Sequence, residues 1–196
     1  MIEVEKKFIL TPEQEKALID GAEFLGEKKF TDAYYDDTDF SLTKKDIWLR
    51  SRDGKFELKI PVNLSIEERV LDQYKELENS HEILQYFNAA TAKSLEDFLV
   101  SKQYKPFCKI ITTRRKYKKD GFGIDLDIMN FGYTLAEIEY MTDNESKIQE
   151  ATNAIIAFAE KNNIISKNVI RGKVVEYLRT NNLKHFQALI DAKVVK

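Results

Sequence analysis

Five pairs of ionisable residues stand two positions apart in this sequence: Glu3 and Glu5, Arg50 and Arg52, Glu57 and Lys59, Asp125 and Asp127, Glu137 and Glu139. A spacing of two puts both members of a pair on the same face of a β-strand. Paired carboxylates are oxygen donors for a hard divalent cation such as Mg²⁺. Paired guanidinium groups bind phosphate through charge-assisted, bidentate hydrogen bonds. For any one strand the plain explanation is a wet outer face, which antiparallel sheets often have. Carboxylate pairs on three strands, with basic residues arranged the same way on others, need a different explanation. A polyphosphate bridged by a divalent cation would use both signs of charge at once.

The elements that position these pairs follow from periodicity. Ile2, Val4 and Phe8 alternate with Glu3, Glu5 and Lys7, interrupted only by Lys6, which predicts a strand over the first eight residues. Thr11-Pro12-Glu13-Gln14 offers a cap, a proline for the first helical position and the glutamine of a capping box. A short helix to about Asp20 is expected there, then a strand near 25–36. Runs 47–52 and 55–60 flank Asp53-Gly54, and runs 107–118 and 122–129 flank Asp120-Gly121. Both dipeptides suit hairpin turns that need positive φ. Further strands are expected at 69–77 and 133–141. Helices are expected over 80–100, with Ser94 as a cap, and over 144–162, 173–178 and 184–190.

The sum is an α+β chain with about eight mostly antiparallel strands, enough to close a barrel. Opposite each charged face lies an apolar one: Ile47 and Leu49; Phe56, Leu58 and Ile60; Ile124, Leu126 and Ile128; Ala136, Ile138 and Tyr140. Helices packed outside the barrel would cover these apolar faces. The charged faces would then line a polar tunnel. Trp48 shares the face of Arg50 and Arg52 and should point into it.

Bulk properties narrow the function. The chain has 196 residues, 33% of them charged, with a net charge of -2. The expectation is one domain over 1–196, with no basic excess for nucleic acid and no apolar run long enough for a membrane helix. A single cysteine, Cys108, leaves no internal disulfide and suits a reducing, cytoplasmic setting. No signal peptide is visible, and no surplus apolar face argues against a monomer. His81 and His185 are isolated and read as surface residues, and Cys108 reads as a structural thiol. Gly121-Phe122-Gly123 reads as a hairpin turn, not a phosphate loop. Nothing points to a serine or cysteine nucleophile.

Glu3-Val4-Glu5-Lys6-Lys7 has the form ExExK at the start of the chain. With the alternating pairs that follow, it resembles the CYTH family, the triphosphate tunnel metalloenzymes. The segments 33–36, Trp48-Leu49-Arg50-Ser51-Arg52, Glu57-Leu58-Lys59, Tyr74-Lys75-Glu76-Leu77, Ile124-Asp125-Leu126-Asp127 and Glu137-Ile138-Glu139 are most similar to the family's thiamine triphosphatases. The resemblance implies an eight-stranded antiparallel tunnel, Mg²⁺ as cofactor and hydrolysis of a small triphosphate, thiamine triphosphate first. It implies Glu3, Glu5 and Glu139 as metal ligands. Asp125, Asp127, Glu137 and Glu76 would form the remaining acidic wall, for a second metal or for water. Lys7, Arg50, Arg52, Lys59, Arg114 (rather than Arg115) and Lys173 would hold the phosphates, Lys173 from a helix closing the tunnel mouth. Lys7, Arg50, Arg52 and Lys59 would also stabilise charge in the reaction. Trp48 would stack on the thiazolium ring, a contact worth about 0.5–2 kcal/mol. Three alternatives stay open: an inorganic tripolyphosphatase, an adenylyl cyclase of the CYTH type, and a polyphosphate-binding module without turnover.

Overall fold

The computed structural model of the chain describes residues 2–62, 72–164 and 170–195. Its strands are β1 (Ile2–Phe8), β2 (Glu23–Asp36), β3 (Trp48–Arg52), β4 (Lys55–Pro61), β5 (Asp72–Leu77), β6 (Lys105–Lys119), β7 (Phe122–Met129) and β8 (Thr134–Thr142). They close into a barrel in the order β1-β5-β4-β3-β2-β6-β7-β8, with β8 returning to β1. Every neighbouring pair is antiparallel. The helices are α1 (Pro12–Ile19), α2 (Ser80–Tyr86), α3 (Leu95–Ser101), α4 (Ile148–Lys161), α5 (Lys173–Asn181) and α6 (Leu183–Asp191).

Local chemistry sets the corners. Asp53 and Gly54 take φ of 48° and 87°, and Asp120 and Gly121 take 52° and 88°. These left-handed pairs match the right-handed twist of the strands they join. The Thr11 hydroxyl accepts from the Gln14 amide at 3.3 Å, and the Thr11 amide donates to Gln14 Oε1 at 3.0 Å, so the capping box of α1 is complete.

The barrel is apolar outside and charged inside, as the alternation predicts. Val4, Ile124 and Ile138 pack with Ile155 and Phe158 of α4. Leu49 and Leu58 pack with Ile83 of α2 and Phe98 of α3. A third cluster joins Trp48, Tyr34 and Tyr74 to Val174, Leu178 and Leu189 of α5 and α6.

Two sequence expectations change. The helix expected over 80–100 is two short helices, separated where Asn88 turns left-handed with φ of 54°. Asn79 caps the first and Ser94 the second. The strand expected over 69–77 is β5 from Asp72 onward, and its first three positions lie outside the described residues.

His185 is a correction: it is fully buried in α6, not on the surface. The Thr43 hydroxyl donates to Asp36 Oδ2 at 2.7 Å and therefore accepts from His185 Nε2, also at 2.7 Å. The ring stacks on Phe40 with centroids 3.9 Å apart, and its Nδ1 has no hydrogen-bond partner. Burial pushes its pKa down to about 4. A histidine that folds neutral costs stability wherever the unfolded chain binds the proton and the folded chain does not. Its contribution is therefore complete above about pH 6.5 and is lost as pH falls toward 4. Urea unfolding of His185→Gln should show a shallower loss of stability across that window than the parent. Equal slopes would contradict this assignment.

Candidate active site

The barrel encloses a cavity of about 590 Å³ lined by many ionisable side chains and by an apolar group that includes Trp48, Val174, Val175 and Val194. In a ring of eight strands, those four steps apart face each other across the lumen. β3 therefore lies opposite β8, and Arg50 and Arg52 stand across the cavity from Glu137 and Glu139. β1 contributes Glu3, Glu5 and Lys7 beside β8, and β4 contributes Glu57 and Lys59 beside β3.

Lys7, Arg50, Arg52, Lys59, Arg114 and Lys173 are each held by carboxylates. Lys7 donates to Glu5 and, at 2.5 Å, to Asp72 Oδ2. Lys59 bonds to Glu3 and lies 2.9 Å from Glu76. Arg50 Nε donates to Glu57 Oε2 at 2.7 Å. Arg52 donates to both oxygens of Asp32, at 2.8 and 3.3 Å, and lies 4.2 Å over the Phe30 ring. Lys173 reaches the same Asp32 and the Thr112 hydroxyl at 3.2 Å. Arg114 makes a two-pronged bond to Asp127, at 2.6 and 2.7 Å, adds Glu137 at 2.8 Å, and contacts Asp125. Breaking one partner out of a buried pair costs roughly 3–5 kcal/mol, because it strands the other charge. The wall thus holds its cations in fixed positions.

The carboxylates are in excess around β1, β7 and β8. Glu3, Glu5 and Glu139 offer one oxygen each within 4.8 Å of one another, and so do Asp125, Glu137 and Glu139. Burial pushes Glu139 up to about 9, reinforced by the nearby charges of Asp125 and Glu3 and opposed by Lys116. Burial likewise raises Glu3 to about 7; Lys59 opposes the shift and Glu5 adds to it. At Glu5 burial is outweighed by Lys7 and Lys59, which hold its pKa below the usual carboxylate range. Burial and the Glu5 charge raise Glu137.

These residues fit a divalent cation. The donors are all carboxylate oxygens, which suits a hard ion. Asp125 Oδ1 is buried without a hydrogen bond, with Lys116 Nζ 3.3 Å away as its charge partner. Gly123 sits opposite Glu139 in the ladder, and a Cβ there would come within 3.2 Å of Glu139 Oε2. The glycine keeps that space clear for the carboxylate and whatever it binds.

The lining contributed by α5 and the segments flanking the last two helices is less polar. Gly172 and Lys173 begin α5, and a Cβ on Gly172 would meet Lys7 Cε at 3.3 Å, so the glycine lets the helix start close against the barrel interior. Lys173 is buried inside the barrel, not suspended over its mouth. Burial and its arginine neighbours lower its pKa to about 8, against the pull of Asp32. Trp48 lines the cavity with Tyr74, Val174, Val175 and Val194, and its indole Nε1 donates to Asp46 Oδ1 at 2.8 Å.

Most of the residues picked from the sequence meet here. Glu3, Glu5, Lys7, Trp48, Arg50, Arg52, Lys59, Glu76, Arg114, Glu137, Glu139 and Lys173 all line one cavity. Arg114 is the inward arginine; Arg115 points out and bonds Glu15 at 2.8 Å. Asp125 and Asp127 are buried in the wall behind Arg114 and are not on the cavity surface. Asp127 joins neither carboxylate cluster, because both its oxygens bind Arg114. Glu76 is also outside both clusters and pairs with Lys59. Asp32, Asp46, Asp72 and Lys116 were not picked out. Asp32 faces Arg52 across the β2–β3 ladder, a pairing visible only once the register is known.

Comparison with known proteins places this geometry. The human thiamine-triphosphatase is 27% identical over 208 residues, covering 97% of this chain and 90% of the human protein. The Macaca fascicularis thiamine-triphosphatase is 27% identical over 213 residues, covering 100% and 92%. Among solved structures, the PH1819 protein from Pyrococcus horikoshii OT3 superposes with a TM-score of 0.66 at 21% identity, covering 91% of this chain and 99% of that one. The CYTH domain profile matches residues 1–172, the whole barrel and the chain up to the residue before α5, so the chain belongs to the CYTH family.

Proposed function

We propose that this protein is a Mg²⁺-dependent triphosphatase that hydrolyses thiamine triphosphate to the diphosphate and phosphate. The observation that carries the reading is the opposition across one cavity of Arg50 and Arg52 to the carboxylates of β1 and β8. A polyanion on the arginine side and a cation on the carboxylate side would each cancel charge that burial makes costly. The human and macaque relatives, named thiamine-triphosphatases, favour that substrate. The cavity of about 590 Å³ has room for a small organic triphosphate.

In this reading Arg50 and Arg52 hold phosphate oxygens in fixed geometry, with Arg114 and Lys173 extending the cradle. Lys7 and Lys59, held in place by carboxylates on more than one strand, stabilise charge that builds on the transferring phosphoryl group. Asp32 and Asp127 position the cations they bind and do not touch the substrate. Glu3, Glu5, Glu137 and Glu139, with Asp125 behind them, would hold the metal. When bound, Mg²⁺ would neutralise phosphate oxygen charge. Trp48, on the face of Arg50 and two residues along β3, would stack on the organic ring. Inorganic tripolyphosphate is the second reading, because the phosphate cradle is complete without the tryptophan.

Phosphate release from thiamine triphosphate, inorganic tripolyphosphate and ATP, measured with Mg²⁺ and with chelator, tests the proposal. Turnover should require Mg²⁺, favour thiamine triphosphate and fall at least about a hundredfold in Glu5→Gln, as expected when charge stabilisation in a dry site is lost. Chelator-resistant activity, or normal turnover by Glu5→Gln, would contradict it.

Metal affinity should also depend on pH. Glu139 at about 9 and Glu3 at about 7 carry protons that a cation must displace. Mg²⁺ binding followed by calorimetry should tighten as pH rises from 6 to about 9, with protons released into the buffer. Affinity that stays level across this range would contradict the site.

A further inference from the structure

Phe30 is a large apolar side chain on the charged face of the barrel. Buried positions alternate along this part of β2, so Phe30 shares its face with Asp32 and Tyr34. It is 4% exposed, yet it belongs to none of the three apolar clusters that the described residues form. Its neighbours are cations instead. The Arg52 guanidinium carbon lies 4.2 Å from the ring centroid, the Lys173 ammonium 4.9 Å and the Arg114 guanidinium carbon 5.6 Å. All three fall within the roughly 6 Å over which an aromatic ring attracts a cation.

These cations come from three different elements: Arg52 from β3, Arg114 from β6 and Lys173 from the start of α5. All three line the cavity and Phe30 does not, so the ring stands behind them. Their carboxylate partners are divided. Asp32 takes Arg52 and Lys173, whereas Asp127 takes Arg114. Phe30 is a contact that all three share. Three like charges drawn to one place repel each other, and something must hold them. A further carboxylate would do so only by cancelling charge that the site must offer to a polyanion. A phenyl ring attracts cations through its quadrupole and adds no net charge.

We propose that Phe30 is a positioning residue: its ring holds Arg52, Arg114 and Lys173 together as one cluster, spaced for phosphate oxygens before the ligand arrives. The inference rests on the triphosphatase reading above for the identity of that ligand. It adds a neutral aromatic support to a site otherwise organised by ion pairs.

Fluorination separates this role from packing. Replacing Phe30 by 4-fluoro-, 3,5-difluoro- and 3,4,5-trifluorophenylalanine weakens the ring's attraction for cations stepwise and changes its size little. The same series at Phe98, which packs among apolar side chains from α3, is the control. The ligand is imidotriphosphate, which resists hydrolysis, so binding is read without turnover. Calorimetry of the whole protein with Mg²⁺ should show affinity falling with each added fluorine at position 30, by about fivefold or more across the series. The Tm of the ligand-free protein should fall in parallel, by about 2–4 °C. Affinity should not follow fluorination at Phe98. Affinity that stays level along the Phe30 series, or falls equally at Phe98, overturns the inference and leaves the triphosphatase reading standing. If the parent protein binds no imidotriphosphate, that reading fails and the Tm decides on the ring by itself. A falling Tm then supports the cation cluster around Phe30, and a level one overturns it.

Discussion

The fold turns on one constraint: charges inside a barrel must be compensated where water is scarce. Isolated buried ions are expensive, and paired ones are stable only when geometry and hydrogen bonding are good. This barrel meets the constraint unevenly. On the β2–β3 side, Asp32 is shared by Arg52 and Lys173, and cations outnumber anions. On the β1–β8 side, Glu3, Glu5, Glu137 and Glu139 crowd together, and burial pushes Glu139 and Glu3 well above their ordinary range. The lumen is polarised across its width. A bound cation with a bound polyanion is the arrangement that cancels both imbalances together.

That interior is possible only because the hydrophobic work is done outside. Val4, Leu58, Ile124 and Ile138 are fully buried, yet they point away from the lumen, under α2, α3 and α4. Closure removes the edge strands that would otherwise leave backbone groups unpaired. Helices on the outside bury the apolar face that most barrels turn inward. α5 and α6 have another duty: they close on Trp48, Tyr34 and Tyr74, bring Lys173 into the lumen and line one end of it with valines. The helix that helps complete the core therefore also supplies part of the site.

Much of this was legible in the sequence because alternation in a strand reports which face a residue occupies. The pairs at Arg50 and Arg52 and at Glu137 and Glu139 identified the lumen before any strand order was known. The Asp-Gly dipeptides located both hairpins. What alternation does not report is the partner across the ladder or the depth within the wall. Asp127 read as an open ligand but both its oxygens bind Arg114, since the β6–β7 register puts the two directly opposite; Asp125, also buried, keeps its place in a carboxylate cluster. Asp32 and Asp46 were invisible for the same reason. Their roles come from Arg52, Trp48 and Tyr74, which reach them from other strands or across a turn. His185 looked solitary because Thr43, its partner, is 142 residues away. The split of the helix over 80–100 was missed because the residues around Asn88 carry no glycine or proline to mark a break.

In the proposed function the two halves of the lumen bind their ligands together. Calorimetric titration with imidotriphosphate, whose P–N–P bridges resist hydrolysis, tests it with and without Mg²⁺. Binding at least about tenfold tighter with Mg²⁺, a coupling of roughly 1.4 kcal/mol, is the predicted result. Equal affinity in the presence and absence of the ion, or no binding in either, would contradict the account.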